Sequence, residues 1–433
     1  MRLFAASQLR GAPPRIHLPW TAVAAATAHG LRMAVNLAII KMIAVVLGPG
    51  GLGAIGNLLS VLSIVMVFAG GGIANGIAKY VAEHKNRSRA TIRLLETAFA
   101  AGFSVSAAVF IASIVAARPV ALAIFQDSTL WWLVPLLGIT HFASFLGSAV
   151  IAVANGSHRP DLFAGISITG YLACIPAGLI LIYMFGFEGA ALSLMLMASC
   201  TGIPALWLLL RAPARQRLGL RPRFHPSEFR QLLRFSIMTA TSALAFPIAE
   251  IVVRGTVTDV LGLSSAGIWQ ASIRLSGAIL GFFSVFLLTG FMPRLSGLKD
   301  PVLAVRQVHR SVLQIALAFL PIAVATYLLR ESVVRLLFSS EFLPLAPMLG
   351  WQLIGDFFRI CAYTIATLVV AKAKLKLYVI AELAQYTLYT AISLYIVRSG
   401  GSVADVVRGY AACYFIYFMI CQTGLTVYRR RLT

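Results

Sequence analysis

Seven basic residues lie inside, or at the edge of, long apolar runs of this 433-residue chain: Arg32, Lys41, Lys79, Arg254, Arg274, Arg359 and Arg408. A charge deep in a bilayer costs a few kcal/mol, so each must face a cavity, a partner or the interface. Lys79 and Arg408 sit near run ends, from which their long side chains reach the interface. Arg32, Arg254, Arg274 and Arg359 lie about two helical turns or more from any end, and Lys41 is intermediate. Glu250 precedes Arg254 by four residues and Asp356 precedes Arg359 by three, which suits pairs along one helix. Arg32 and Arg274 have no acid within a turn. The acids in these runs are Glu96, Glu250, Asp356 and Glu382, fewer than the cations. A hydrated cavity with surplus positive charge and low-dielectric walls concentrates anionic ligands. Arginine and lysine suit phosphate, arginine through two parallel hydrogen bonds.

The candidate ligands for a diphosphate are therefore Arg32, Lys41, Arg254, Arg274 and Arg359. Asn36, Asn57, Asn75 and Gln270 supply polar contacts for sugars. Trp269, with Tyr363 and Tyr378, offers rings for stacking, although such residues in helices more often pack or anchor at the interface. Asp356 and Glu382 are candidates for coupling proton entry to movement, since burial tunes carboxyl groups.

The elements that must carry these residues follow from composition. The chain is 59% hydrophobic and 12% charged, with a mean hydropathy of +0.87. A soluble chain of this length cannot bury so much apolar surface. The apolar residues come in long runs without period-2 alternation, which points to membrane-spanning helices and away from a β-barrel. Twelve spans are expected, near 21–47, 54–81, 94–116, 129–154, 162–184, 189–210, 232–258, 266–292, 308–329, 346–371, 377–397 and 404–427. Alternate sides of this layout collect 25 and 4 Lys and Arg residues. Basic loops stay cytoplasmic, so both termini and the central loop are expected there. That bias also accounts for much of the net charge of +22 without nucleic acid.

A faint duplication appears at an offset of 214 residues. Leu47-Gly48-Pro49-Gly50-Gly51-Leu52-Gly53 aligns with Leu261-Gly262-Leu263-Ser264-Ser265-Ala266-Gly267, each in the outer turn after the first span of a half. The expected domains are a cytoplasmic arm at 1–20, six-helix bundles at 21–210 and 232–433, and a basic linker at 211–231. At the repeat offset Lys41 falls beside Arg254, so both halves carry a cation at similar depth, which favours one positive cavity shared by the halves. No nucleotide-binding G-x-x-x-x-G-K-[ST] loop, H-E-x-x-H pair or His/Cys ligand cluster is present, and no enzyme, metal or cofactor is expected. The five cysteines read as small hydrophobes.

The stretches LGPGGLG (47–53), NGIAKYVAEH (75–84), GIWQ (267–270), WQLIGD (351–356) and VAKAKLKLYVIAELAQ (370–385) resemble the Wzx-type flippases of the multidrug/oligosaccharidyl-lipid/polysaccharide exporter superfamily. The likeness covers nearly the whole chain. It implies an all-α, MATE-like fold of twelve helices in two pseudo-symmetric bundles around a cavity that opens alternately inward and outward. The implied substrate is an undecaprenyl-diphosphate-linked oligosaccharide, a lipid III or O-antigen-like unit, moved across a bacterial inner membrane. Polymerase and chain-length proteins of the same pathway are the implied protein partners. The family pattern has basic residues at Arg32, Lys41, Lys79, Arg254, Arg359, Lys372 and Lys376, Asn at Asn57 and Asn75, Trp-Gln at 269–270, Asp at Asp356 and Glu at Glu382. Arg274 and Glu250 depart from it, which points to Glu250 as a local balance for Arg254 or Arg274. A drug exporter on the same fold is the rival transporter; it would want a smaller, often acidic pocket, against which the surplus of cations argues. A membrane glycan polymerase is the rival enzyme, but it would be expected to carry a large outer loop with catalytic groups.

Overall fold

The computed structural model describes residues 18–83, 88–157, 159–211, 222–287, 291–298, 300–372 and 374–430. Among these residues there are helices and no strands. In the N-terminal part they are α1 (Leu18–Met66), a π-helical turn (Val67–Gly71), α2 (Ile73–Glu83), α3 (Ser88–Val115), α4 (Ala117–Phe125), a 3-10 turn (Ser128–Leu133), α5 (Val134–Gly156), α6 (Pro160–Ser199) and α7 (Gly202–Arg211). The C-terminal part has α8 (Pro226–Leu261), α9 (Leu263–Phe286), α10 (Met292–Gly297), α11 (Pro301–Leu328), α12 (Arg330–Leu337), a 3-10 stretch (Ser340–Met348), α13 (Leu349–Ala371), α14 (Leu375–Arg398) and α15 (Val403–Arg430).

Seven helical stretches among the described residues are long and apolar enough to cross a membrane, from 30–83 near the N-terminus to 403–430. The first, of 54 residues, would extend about 80 Å if straight, against a hydrocarbon core of about 30 Å. It breaks instead at Gly48, whose φ of 62° and ψ of −170° stop the helix before Pro49. The 40-residue α6 breaks in the same way at Gly186. Three long helices outside those seven are α8, α9 and α14, which carry Glu250 and Arg254, Arg274, and Glu382.

The duplication is written in the backbone. The described glycines with positive φ are Gly48, Gly186, Gly262 and Gly400, at 62°, 53°, 86° and 86°. They form two pairs, Gly48 with Gly262 and Gly186 with Gly400, each separated by the offset read from the aligned turns. This left-handed region is open to glycine at little cost and strained for other residues. The short helix and 3-10 turn before α5 also recur before α13.

Among the described residues two compact units emerge, one within 18–42 and 57–244, the other within 43–56 and 245–430. In the first, α5 is the hub, packed on α2, α3, α6 and α7, with Phe99, Phe145 and Leu146 in the core. In the second, its counterpart α13 packs most extensively on α15, and also on α9, α11 and α14. The duplicated turns meet there: a Cβ on Gly53 would stand 2.9 Å from the Gly267 amide nitrogen, so only glycine admits this approach.

Candidate functional site

Three helices of the second unit carry polar or aromatic stripes at helical spacing. On α13 these are Gln352, Asp356, Arg359 and Tyr363; on α14, Glu382, Tyr386, Tyr389 and Ser393; on α15, Tyr410, Tyr414, Tyr417 and Cys421. Steps of four, three and four residues place each set on one helix face. With α8 and α9 they enclose two buried polar clusters.

The first cluster centres on Glu250. Arg254, 1% exposed, donates from Nε and Nη2 to Gln270 Oε1 at 3.1 and 2.8 Å. Its Nη2 lies 4.0 Å from Glu250 Oε1, and Arg274 Nη2 approaches the same oxygen at 3.6 Å from α9. One carboxylate thus stands between two guanidinium groups. The spacing along α8 foretold the Glu250–Arg254 neighbours, whereas the Arg274 partner comes from another helix, beyond the reach of a search within one turn. The Arg254 guanidinium also lies 5.7 Å from the Trp269 ring centroid. Gly56 provides its space: a Cβ there would stand 2.5 Å from Arg254 Nε. Arg274 is different. A quarter of its side chain is exposed, and its Nε and Nη2 have no hydrogen-bond partner.

The second cluster surrounds Asp356, fully buried. Ser276 and Tyr410 hydroxyls donate to Asp356 Oδ1, the tyrosine at 2.7 Å, and Gln352 Nε2 reaches it at 3.5 Å. The Arg359 guanidinium donates to the same Tyr410 hydroxyl at 3.2 Å and to the Tyr363 hydroxyl at 3.2 Å. The acid and base of the expected i, i+3 pair are therefore joined through Tyr410. Phe246 and Tyr414 rings flank Arg359 at 5.1 and 5.0 Å. Such an aromatic box stabilises a desolvated cation. Glu382, buried on α14, interacts electrostatically with Arg359.

Charge within these two buried clusters is therefore balanced: Arg254, Arg274 and Arg359 against Glu250, Asp356 and Glu382. Trp269 and Gln270 have at most 1% of their surface exposed, and in this conformation they serve as the wall and acceptor for Arg254. Lys372 is half-buried and donates from Nζ to the Leu298 carbonyl at 2.7 Å.

In the first unit Arg32 and Asn36, one helical turn apart on α1, are both exposed, and Lys41 is half-buried. Among the described residues no carboxylate lies within 4 Å of Arg32 or Lys41. Asn57 is half-buried and Asn75 exposed. Lys41 and Arg254 hold similar places before their breaking glycines, yet one is half-buried and the other is sealed in protein. Lys79 pairs with Glu83 at 3.6 Å, at the edge of its helix. Arg408 likewise pairs with Asp405 at 2.8 Å.

The residues that spacing alone did not single out are Ser276, Gln352, Tyr386, Tyr389, Tyr410 and Tyr414. Their helical periodicity was visible, but the same pattern describes ordinary packing.

A family model described as polysaccharide biosynthesis protein matches residues 42–347. The lipid III flippase of Escherichia coli (strain K12) is 28% identical over 412 residues, covering 95% of this chain and 98% of that protein. Among solved structures, the lipid II flippase MurJ in an inward closed conformation has a TM-score of 0.74 at 13% identity, covering 94% of this chain and 87% of that one. An inward-facing multidrug resistance MATE family transporter of the MOP superfamily has a TM-score of 0.72 at 15% identity, covering 92% and 96%. At these identities the structural likeness speaks for the fold.

Proposed function

Because the chain belongs to the polysaccharide biosynthesis protein family, we propose that it is a flippase for a lipid-linked oligosaccharide. It is a multi-pass inner-membrane protein and a transporter, not an enzyme. The observation that carries this reading is the end-to-end likeness to a lipid III flippase. The finer proposal is an undecaprenyl-diphosphate-linked unit, moved from the cytoplasmic to the periplasmic leaflet by alternating access, with twelve crossings and both termini cytoplasmic. Delivery to polymerase and chain-length proteins belongs to the same proposal.

Diphosphate binding is assigned to cations with spare capacity: Arg32 and Lys41, which have no carboxylate within 4 Å among the described residues, and Arg274, which pairs with Glu250 through Nη2 alone and whose Nε has no hydrogen-bond partner. Asn36, Asn57 and Asn75 meet sugars. Arg254, Trp269 and Gln270 support Arg274 by holding Glu250 and α9 in place, and enter the site only in another conformation. Asp356, Arg359 and Glu382 form the coupling group, and Lys372 holds the end of α13.

The test is translocation of a fluorescent polyprenyl-diphosphate glycan in proteoliposomes. A charge-assisted hydrogen bond is worth about 1.5–3 kcal/mol, so Arg32→Ala and Arg274→Ala each slow translocation about tenfold or more at equal protein content. Full activity in both would remove these cations from the mechanism. Full activity toward a neutral polyprenol glycan would remove the diphosphate from recognition.

A further inference from the structure

Within the second unit a groove of about 430 Å³ runs between α13, α14 and α15. Its wall is apolar, including Leu368, Ala384, Leu388, Ile420 and Leu425. Its volume lies in the range of sites for small amphiphiles. The groove is rimmed at one end by Lys372 and Lys374. Exposed Lys376 and Arg429 belong to the same ends of α14 and α15. Lys374 is exposed, with its ammonium 4.9 Å from the Tyr428 ring centroid. Ile380 and Ile420, 64% and 60% exposed, open the side of the groove outward, which for a membrane helix means toward lipid.

The groove has a definite length. On α14 its apolar lining runs from Leu377 to Leu388, eleven residues apart, beyond the cap at Lys374. At helical rise that is about 16 Å, half of a hydrocarbon core of about 30 Å. The apolar stretch therefore suits a chain one leaflet deep and disfavours a long polyprenyl chain. The lysines at its mouth match a phosphate.

We infer that the α13–α14–α15 groove is a binding site for an anionic glycerophospholipid, with an acyl chain against α14 and the phosphate at Lys372 and Lys374. The leaflet is the one on the basic side; naming it cytoplasmic rests on the orientation proposed above, while the charge preference does not. An anionic lipid seated here ties the ends of three helices together.

The experiment uses the full chain in phosphatidylcholine nanodiscs, with phosphatidylglycerol as the probe and native mass spectrometry as the readout. A Cβ on Gly424, which lines the groove, meets nothing within 4 Å, so Gly424→Leu fills the groove without displacing a neighbour. Lys374→Glu reverses charge at its mouth. The expected result is preferential retention of phosphatidylglycerol, reduced about fivefold or more by either variant, with melting in phosphatidylcholine alone unchanged. If Gly424→Leu fails to fold, Lys374→Glu decides. Equal retention of the two lipids, or retention insensitive to the variants, would overturn the site. Displacement of phosphatidylglycerol by equimolar polyprenyl phosphate would overturn it also, by assigning the groove to the transported lipid.

Discussion

Replacing Glu250 by Gln keeps the shape of the side chain and removes the charge between two arginines. Glu250 and Arg254 have side-chain exposures of 2% and 1%, so little water can compensate. Removing one partner of a buried ion pair costs about 3–5 kcal/mol. Arg254 keeps its two hydrogen bonds to Gln270, and Arg274 is a quarter exposed. Both soften the loss, which is expected at the low end, about 3 kcal/mol. The assay is reversible unfolding in mixed micelles, completed as a double-mutant cycle with Arg254→Leu. The single variants should each be destabilised. The double variant should be more stable than their sum implies by about 1–3 kcal/mol, because it removes the sealed Arg254 charge and leaves only the quarter-exposed Arg274 without its acid. Adding Arg274→Gln to Glu250→Gln should recover part of the loss for the same reason. A loss below about 0.5 kcal/mol for Glu250→Gln, or additivity within about 0.5 kcal/mol, would refute the shared-carboxylate account.

Gly56→Ala puts a methyl 2.5 Å from Arg254 Nε and should destabilise by about 1–3 kcal/mol, as overpacking does; thermal unfolding should show partial rescue by Arg254→Leu. Tyr410→Phe deletes the hydroxyl that joins Asp356 to Arg359. The expected loss is about 1–3 kcal/mol in the same unfolding assay, and retention of full stability would mean that water replaces the bridge. Gly262→Ala meets open space and pays only the strain of its positive φ, about 1–3 kcal/mol, whereas Gly48→Ala also meets Glu341 Oε2 at 2.6 Å. Gly48→Ala should therefore lower the melting temperature more than Gly262→Ala.

The charged residues of the candidate site are legible in the sequence. Arg254, Arg274, Arg359, Glu250, Asp356 and Glu382 declared themselves as charges in apolar surroundings. Their roles did not follow. Arg32 and Arg274 both lack an acid within a turn, yet Arg274 finds Glu250 across a helix interface while Arg32 stays on an exposed face. Trp269 suits either sugar stacking or packing by its sequence alone, and in this structure it lies sealed beneath Arg254. Tyr410 was invisible as a functional residue, since a tyrosine at helical spacing in an apolar segment is usually packing.

The chain's own residues determined the all-α, membrane-embedded character, the breaks at Gly48 and Gly262, and the presence of costly charges within spans. These follow from local terms: apolar run length, the φ range open to glycine, and the desolvation of an ion. Only tertiary structure decided which charge neutralises which, because that depends on how each helix is rotated against its neighbours. A periodicity of 3.6 residues defines a helix face but not what lies opposite. Packing of α8 on α9 gave Glu250 two arginines, and packing of α13 on α15 put Tyr410 between Asp356 and Arg359.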